Sequence, residues 1–149
     1  MRFLGNIESK VDQKGRVFLP ANFRKVLQAS GEERLMLRKD IHQRCLVLYP
    51  ESVWNERVDM LKQQLSLWNK AHQQVMRKLN SDVEEIGLDG NGRMLIARHL
   101  LEKAGITQNV RFIGMDNVIE IWDPVQLDAT LDDDDEFGEK LESIMTSNF

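Results

Sequence analysis

The stretch that decides the fold is "VDQKGRVFLPANFRK", residues 11–25, because its arrangement returns as "LDGNGRMLIARHLLEK" at 88–103. In both, a polar turn of the form Asp-x-x-Gly-Arg separates two apolar, strand-like runs. Asp12, Gly15 and Arg16 correspond to Asp89, Gly92 and Arg93, a shift of 77 residues. Two such turns in the same local setting point to a duplicated unit.

Reading outward, Ile7, Ser9 and Val11 alternate with polar neighbours, the period of a half-buried strand. The turn then predicts a hairpin with a four-residue connection: Asp12 accepts backbone N–H groups and Gly15 takes the left-handed conformation. Pro20 suits the first position of a short helix, "ANFRKVLQAS", ended by Gly31. "RLMLRK" and "CLVLYP" follow as paired strands around a polar loop at Asp40–Arg44. The second copy repeats the order, with "VEEIGL", "RMLIA", a helix from about Ala97 to Ala104, and the strand pair "NVRFIG" and "VIEIW". Tyr49 matches Trp122 at a shift of 73, so the first copy has four extra residues in its strand-pair connection.

Between the copies, Glu51 to Asn80 contains no Pro or Gly. Trp54, Val58, Leu61, Leu65, Trp68, Ala71, Val75 and Leu79 step by threes and fours into one apolar stripe. This predicts one long helix, or two hinged near Ser66. The stripe is expected to pack in the core or between protomers, rather than to form a groove for another protein. Neither copy is large enough to bury its own sheet face, whereas two can build one shared core. The expected fold is therefore α+β, a pseudo-symmetric domain over 1–127 with repeats at about 1–57 and 81–127. A helical segment over about 51–80 joins them, and an acidic tail over 128–149 follows.

The net charge of −4 hides a division. Residues 1–80 hold 15 Lys and Arg against 8 Asp and Glu, a net of +7; residues 81–149 hold 5 against 16, a net of −11. Nucleic acid responds to the local field, so the acidic total does not exclude it. A hairpin tip can carry Lys14 and Arg16 past the surface, with Lys10 on the approaching strand and Arg24 and Lys25 on the following helix flanking the same face. The planar fork of Arg16 can grip a guanine edge or a phosphate, and Lys14 suits phosphate. A second reading stands beside this one: each Arg pairs with its turn Asp as an internal staple. Both turns have the Asp and the Arg, but only the first has Lys14 and Lys10. We therefore assign turn-shaping to Asp12, Gly15, Asp89 and Gly92, and DNA contact to Lys14 and Arg16. For Arg93 the two readings balance.

The ordered set "DQKGRVFLPANFRK", "DIHQRCLVLYP" with Trp54, "LDGNGRMLIA" and "EIW" at 120–122 resembles the MraZ family, over residues 1 to about 127. The resemblance implies the AbrB-like swapped-hairpin fold, a duplicated barrel-like β core of pseudo-twofold symmetry with flanking helices. It also implies a bacterial transcriptional regulator that binds short direct repeats in double-stranded promoter DNA, upstream of the division and cell-wall gene cluster. Self-association into a closed ring, an octamer, is implied too. Carried over, Lys14 and Arg16 are the DNA-contacting pair, and Arg93 matches in the second motif. There Gly90 and Asn91 stand where many members carry a basic residue, and Ala97 stands where many carry proline. The second turn is thus less cationic than the first. Repression is the simpler direction of regulation.

Other chemistry finds little purchase. His42, His72 and His99 are scattered, no Cys or His has zinc-type spacing, and no phosphate-binding loop or nucleophile motif occurs, so no metal, cofactor or enzymatic activity is expected. Asp40 and His42 are expected to order their loop. A single cysteine, Cys45, fits a buried apolar role in a reducing cytoplasm. No apolar run approaches a membrane span and Met1–Gly5 has no signal-like stretch, so a cytoplasmic, nucleoid-associated location is expected. "DDDDEFGEKLESIM" reads as a short amphipathic helix after an acidic run or as a solvated, disordered tail. The rival function is an oligomeric protein-interaction module resembling the fold's antitoxin relatives, which would tolerate neutralisation of Lys14 and Arg16.

Overall fold

The computed structural model describes residues 1–147. The first copy contains β1 (Asn6–Lys10), β2 (Arg16–Phe18), α1 (Ala21–Ala29), β3 (Leu35–Lys39) and β4 (Leu46–Pro50). Two helices follow, α2 (Glu51–Gln63) and α3 (Lys70–Asp82). The second copy contains β5 (Glu84–Ile86), β6 (Arg93–Leu95), α4 (Arg98–Lys103), β7 (Asn109–Met115) and β8 (Val118–Trp122). The chain continues into α5 (Pro124–Thr130) and α6 (Asp134–Ser147). The α+β class and the duplicated element order are as expected. Pro20 differs by one position: it is the N-cap of α1, and its carbonyl accepts the N–H groups of Phe23 and Arg24.

The pairing of the strands departs from the expected local hairpins. At the first turn Asp12 N–H donates to Arg16 O and Gly15 N–H to Asp12 O, but β1 and β2 then part. β1 pairs with β7, from Asn6↔Ile113 to Lys10↔Asn109, while β2 pairs with β6, from Arg16↔Leu95 to Phe18↔Arg93. In the second copy β5 likewise pairs with β3. All pairs are antiparallel, and the larger sheet runs β1-β7-β8-β4-β3-β5. Interchanging the copies reverses that order onto itself. The physical reason lies in size, since a two-stranded ribbon this short is marginal by itself. Exchange instead seats β1 and β5 on the two edges of the larger sheet, joins β2 to β6 across the copies, and places the apolar residues of both copies in one core. Among the described residues the strands form this open six-stranded sheet and a separate two-stranded ladder, not a closed barrel.

One principal core takes residues from both copies, including Phe3, Val17, Phe23 and Leu37 from the first and Met94, Ile96, Leu100 and Phe112 from the second. Phe3 and Phe23 meet edge to face with centroids 5.6 Å apart. Each such side chain contributes about 1.5–3 kcal/mol of burial free energy. Cys45 is buried with Trp122 and Leu127 in a smaller cluster that anchors α5.

The linking segment resolves into two helices. Asn69 caps α3 by accepting the His72 N–H at 3.1 Å, and His72 Nδ1 accepts the Ser66 N–H at 2.8 Å. The break therefore falls where the sequence placed the hinge. The expectation of a core stripe fails: α2 buries Val53 alone and α3 buries nothing. Trp68, in the connection, is 95% exposed. Of the tail, 131–133 connects α5 to α6, and every described residue from 131 onward is exposed. A helix runs to Ser147, beginning inside the acidic run at Asp134 rather than after it, and its exposure leaves it solvated; residues 148–149 lie outside the described residues. Among the described residues no helix is long and apolar enough to cross a membrane.

Candidate nucleic-acid interface

Exchange of arms brings both turns onto one ribbon. β2 and β6 run antiparallel, so the turn before Arg16 and the turn before Arg93 stand at opposite ends of the ladder. Val17 and Met94 face the core, while Arg16, Leu95, Phe18 and Arg93 share the outer face. The ladder continues into the turns themselves. Gly15 O accepts the Ile96 N–H at 2.8 Å, and Gly92 O accepts the Leu19 N–H at 3.1 Å.

Each turn is organised by its aspartate. Asp12 Oδ1 accepts the backbone N–H groups of Lys14 and Arg16, both at 2.9 Å, and its Oδ2 accepts Arg16 Nε at 2.7 Å. Asp89 does the same with Asn91 at 2.9 Å, Arg93 N–H at 3.0 Å and Arg93 Nε at 2.9 Å. The Arg16 backbone N–H, above all, holds the Asp12 carboxyl below the usual carboxylate range, and the Arg93 N–H does so for Asp89. Gly15 and Gly92 close the turns at φ +89° and +80°.

The staple anticipated as an alternative is therefore present in both turns. It engages the inner Nε–H of each arginine. Among the described residues neither guanidinium makes another hydrogen bond, so the two terminal nitrogens of each remain available. Arg93 also lies over the Phe18 ring, 5.8 Å from its centroid. A guanidinium fixed at Nε has lost much of its rotamer freedom before any ligand arrives.

The other sequence-predicted cations distribute unevenly. Lys14 is exposed at the first tip, Lys10 is exposed at the end of β1, and Lys25 is exposed on α1. Arg24 does not flank the first turn. It lies across Gly92 of the second turn, and its Nη1 donates to the Leu19 carbonyl. The reason is the exchange of arms, which seats α1 of the first copy beneath the turn of the second. The second turn, poor in its own cations, thus has Arg24 close by. The sequence also left out Arg98, on α4, which shares a concavity of about 750 Å³ with Lys14, Gln13 and Glu102 at the first turn. Its only sequence signal is its place on the helix that follows the second turn.

Away from the ribbon, Asp40 orders its loop as expected, accepting the N–H groups of His42 at 3.0 Å and Gln43 at 2.8 Å. Burial pushes the Cys45 thiol far above its ordinary range, which leaves it inert. Among the described residues no group of three or more His, Cys, Asp or Glu could hold a metal ion.

Comparison with known proteins adds an independent finding. One protein family, described as "MraZ protein, putative antitoxin-like", matches residues 2–78 and again residues 81–146. The second match runs beyond residue 127, where the sequence resemblance had stopped, and so takes in α5 and most of α6. A protein of Phocaeicola vulgatus called "Transcriptional regulator MraZ" is 56% identical over 148 residues, covering 99% of this chain and 96% of its own length. One of Bacteroides fragilis with the same name is 54% identical, covering 97% of this chain and 92% of its own. Another so named, from Serratia proteamaculans, is 36% identical, covering 81% and 79%.

Proposed function

The chain belongs to the MraZ family, and from that premise we propose that it is a sequence-specific DNA-binding transcriptional regulator, acting as a repressor. It reads short direct repeats upstream of the division and cell-wall gene cluster. The observation that carries this reading is the pair of Asp–Arg staples on one ribbon. Each fixes an arginine by its Nε and leaves the terminal fork free, the geometry a guanine edge or phosphate requires. Arg16 and Arg93 are the reading groups, and Asp12 and Asp89 act through them as positioning residues. Lys14 adds a phosphate contact, with Lys10 and Lys25 on the periphery and Arg24 beside the second turn. The exchange of arms supports a swapped-hairpin, pseudo-twofold unit over residues 1–127. The protein works in the cytoplasm at the nucleoid. It self-associates into a ring, so that tandem boxes meet several ribbons and each further contact becomes intramolecular.

Fluorescence anisotropy at several salt concentrations tests this, comparing tandem-repeat promoter DNA with scrambled DNA for the wild type and Arg16→Ala. Preference for the repeats, lost in the variant with the assembly intact, is the expected result. Weak and equal binding by both proteins would sink the proposal. It would favour the antitoxin-like reading, a protein-interaction module, to which the exposed Trp68 of the α2–α3 connection gives some support.

A further inference from the structure

Two complementary surfaces of this chain lie open at once. The first is a groove of about 720 Å³ where α2 and α3 meet the sheet. Its apolar lining comes from Tyr49, Trp54, Val58, Leu61, Val75 and Leu79. Trp54 and Tyr49 meet edge to face at 5.1 Å, and Arg57 covers the Tyr49 ring at 5.3 Å. Three cations, Arg38, Arg57 and Lys78, also line it, against one carboxylate, Asp40. Arg57 is held by Asn117 at 3.0 Å, and Lys78 by Asp82 at 3.0 Å. Arg38 has Asp82 at 3.9 Å, and its Nε finds no acceptor among the described residues.

The second surface is α6. Phe137, Leu141 and Met145 recur every four residues along one face and are 57%, 45% and 54% exposed. Around them stand Asp134, Asp135, Glu136, Glu139 and Glu142, with Lys140 as the single cation of the helix. Lys140 is itself taken by Asp132 at 2.8 Å. An amphipathic acidic helix with anchors four apart is the ligand that an apolar groove with a basic rim recognises. Three residues join α6 to α5, and α5 is fixed by Leu127 against Cys45 and Trp122.

We propose that α6 of one protomer docks into the α2–α3 groove of a second copy of this chain. The short tether and anchored α5 carry α6 away from its own body toward a neighbour. The contact is heterologous: a groove meets a helix rather than itself, so each copy uses both surfaces and the association propagates until it closes. This supplies a contact for the self-association proposed above, and it does not depend on the ribbon binding DNA. The acidic helix is thereby an assembly element.

Disulfide trapping in the full chain decides the matter, since native Cys45 is buried. Val75→Cys and Leu141→Cys are introduced singly and together, and each protein is oxidised and separated without reductant. The double variant should give a ladder of covalent multimers while each single variant stays monomeric. A fast-migrating monomer from the double variant would mean that α6 folds onto its own groove, and would overturn the proposal. So would a dimer from Leu141→Cys alone, the mark of α6 pairing with α6, or the absence of any cross-link. Light scattering supplies the second test, with Phe137→Ser carrying Leu141→Ser as the helix variant and Val75→Glu as the groove variant. Each alone should lower the mass of the wild-type assembly, and their mixture should recover one intact contact and stop at a dimer. Wild-type mass in both variants would refute the contact. Anisotropy on a single DNA box reads the ribbon separately, so loss of assembly and loss of DNA recognition remain distinguishable.

Discussion

Arg24 lies across Gly92, so that a β-carbon on Gly92 would fall 2.8 Å from its Nη1 and 2.9 Å from its Cδ. The equivalent position on Gly15 would fall 2.6 Å from a backbone atom, the Ile96 carbonyl oxygen. Both glycines have positive φ, which costs an alanine about 1–2 kcal/mol. The neighbours then separate them, because a guanidinium can swing aside and a ladder carbonyl cannot. Gly15→Ala should therefore destabilise more than Gly92→Ala in urea unfolding, by about 1–3 kcal/mol of overpacking. Adding Arg24→Ala should relieve part of the Gly92→Ala loss and none of the Gly15→Ala loss. Equal losses for the two glycine variants would contradict this account of the turns.

Asp12→Ala sets two effects against each other. Removing a negative charge beside Lys14 and Arg16 should strengthen non-specific attraction to phosphate. Losing the Nε anchor should free the Arg16 fork and erase preference between bases. The expected result is unchanged or tighter binding to scrambled DNA together with loss of the repeat preference, measured by anisotropy at fixed salt. A variant that only gained affinity, with its preference kept, would remove Asp12 from its positioning role.

Lys14 should behave differently from Arg16. As a point charge at the turn tip it should neutralise a phosphate and release its counterion. Lys14→Ala should lower affinity for all sequences alike. It should also flatten the salt dependence, by about 0.9 in log–log slope for every phosphate that the bound protein no longer neutralises. Arg16→Lys keeps the charge, so its salt slope should hold while its base preference falls. Identical profiles for these two variants would argue against separate roles.

The turns also carry a pH signature. Asp12 and Asp89 bind protons less readily in the folded chain than at the ordinary carboxylate value of 3.8. Their contribution to turn order is complete above that value and is lost as pH falls through the depressed folded-state values. Above pH 5 the turns should therefore be indifferent to pH. Below about pH 4 the protection factors of the Lys14, Arg16, Asn91 and Arg93 amides, taken against the intrinsic rate at each pH, should fall together. Loss of protection centred near pH 6 would point to a different group.

What could be read from the sequence was what short-range chemistry determines. Asp12 and Gly15 specify their turn within four residues, whereas a break near Ser66 was only one of two readings, decided by the Asn69 cap of α3. The choice of strand partners was not legible, because Asn6 and Ile113 are joined by register and core shape with no local mark. The turn that Arg24 lies beside was not legible for the same reason, since its neighbour Gly92 belongs to the other copy. The apolar stripe from Trp54 to Leu79 has the spacing of a core helix whether its cover is this chain or another, and periodicity cannot tell the two apart. α6 was legible as an amphipathic segment, whereas the groove that matches it exists only once α2 and α3 fold against the sheet.

The exchange of arms has a consequence for how this protein is made. β1 leaves the ribosome well ahead of its partner β7, since Asn6 pairs with Ile113. Until Asn109–Met115 has been synthesised, β1 keeps an open backbone edge, and β2 waits likewise for β6. Closing such distant pairs is slow compared with forming α2 and α3, which need only local contacts. During that interval two nascent first halves on neighbouring ribosomes can pair with each other. Duplication within one chain answers this hazard, because the second copy arrives tethered, at an effective concentration no free neighbour can match.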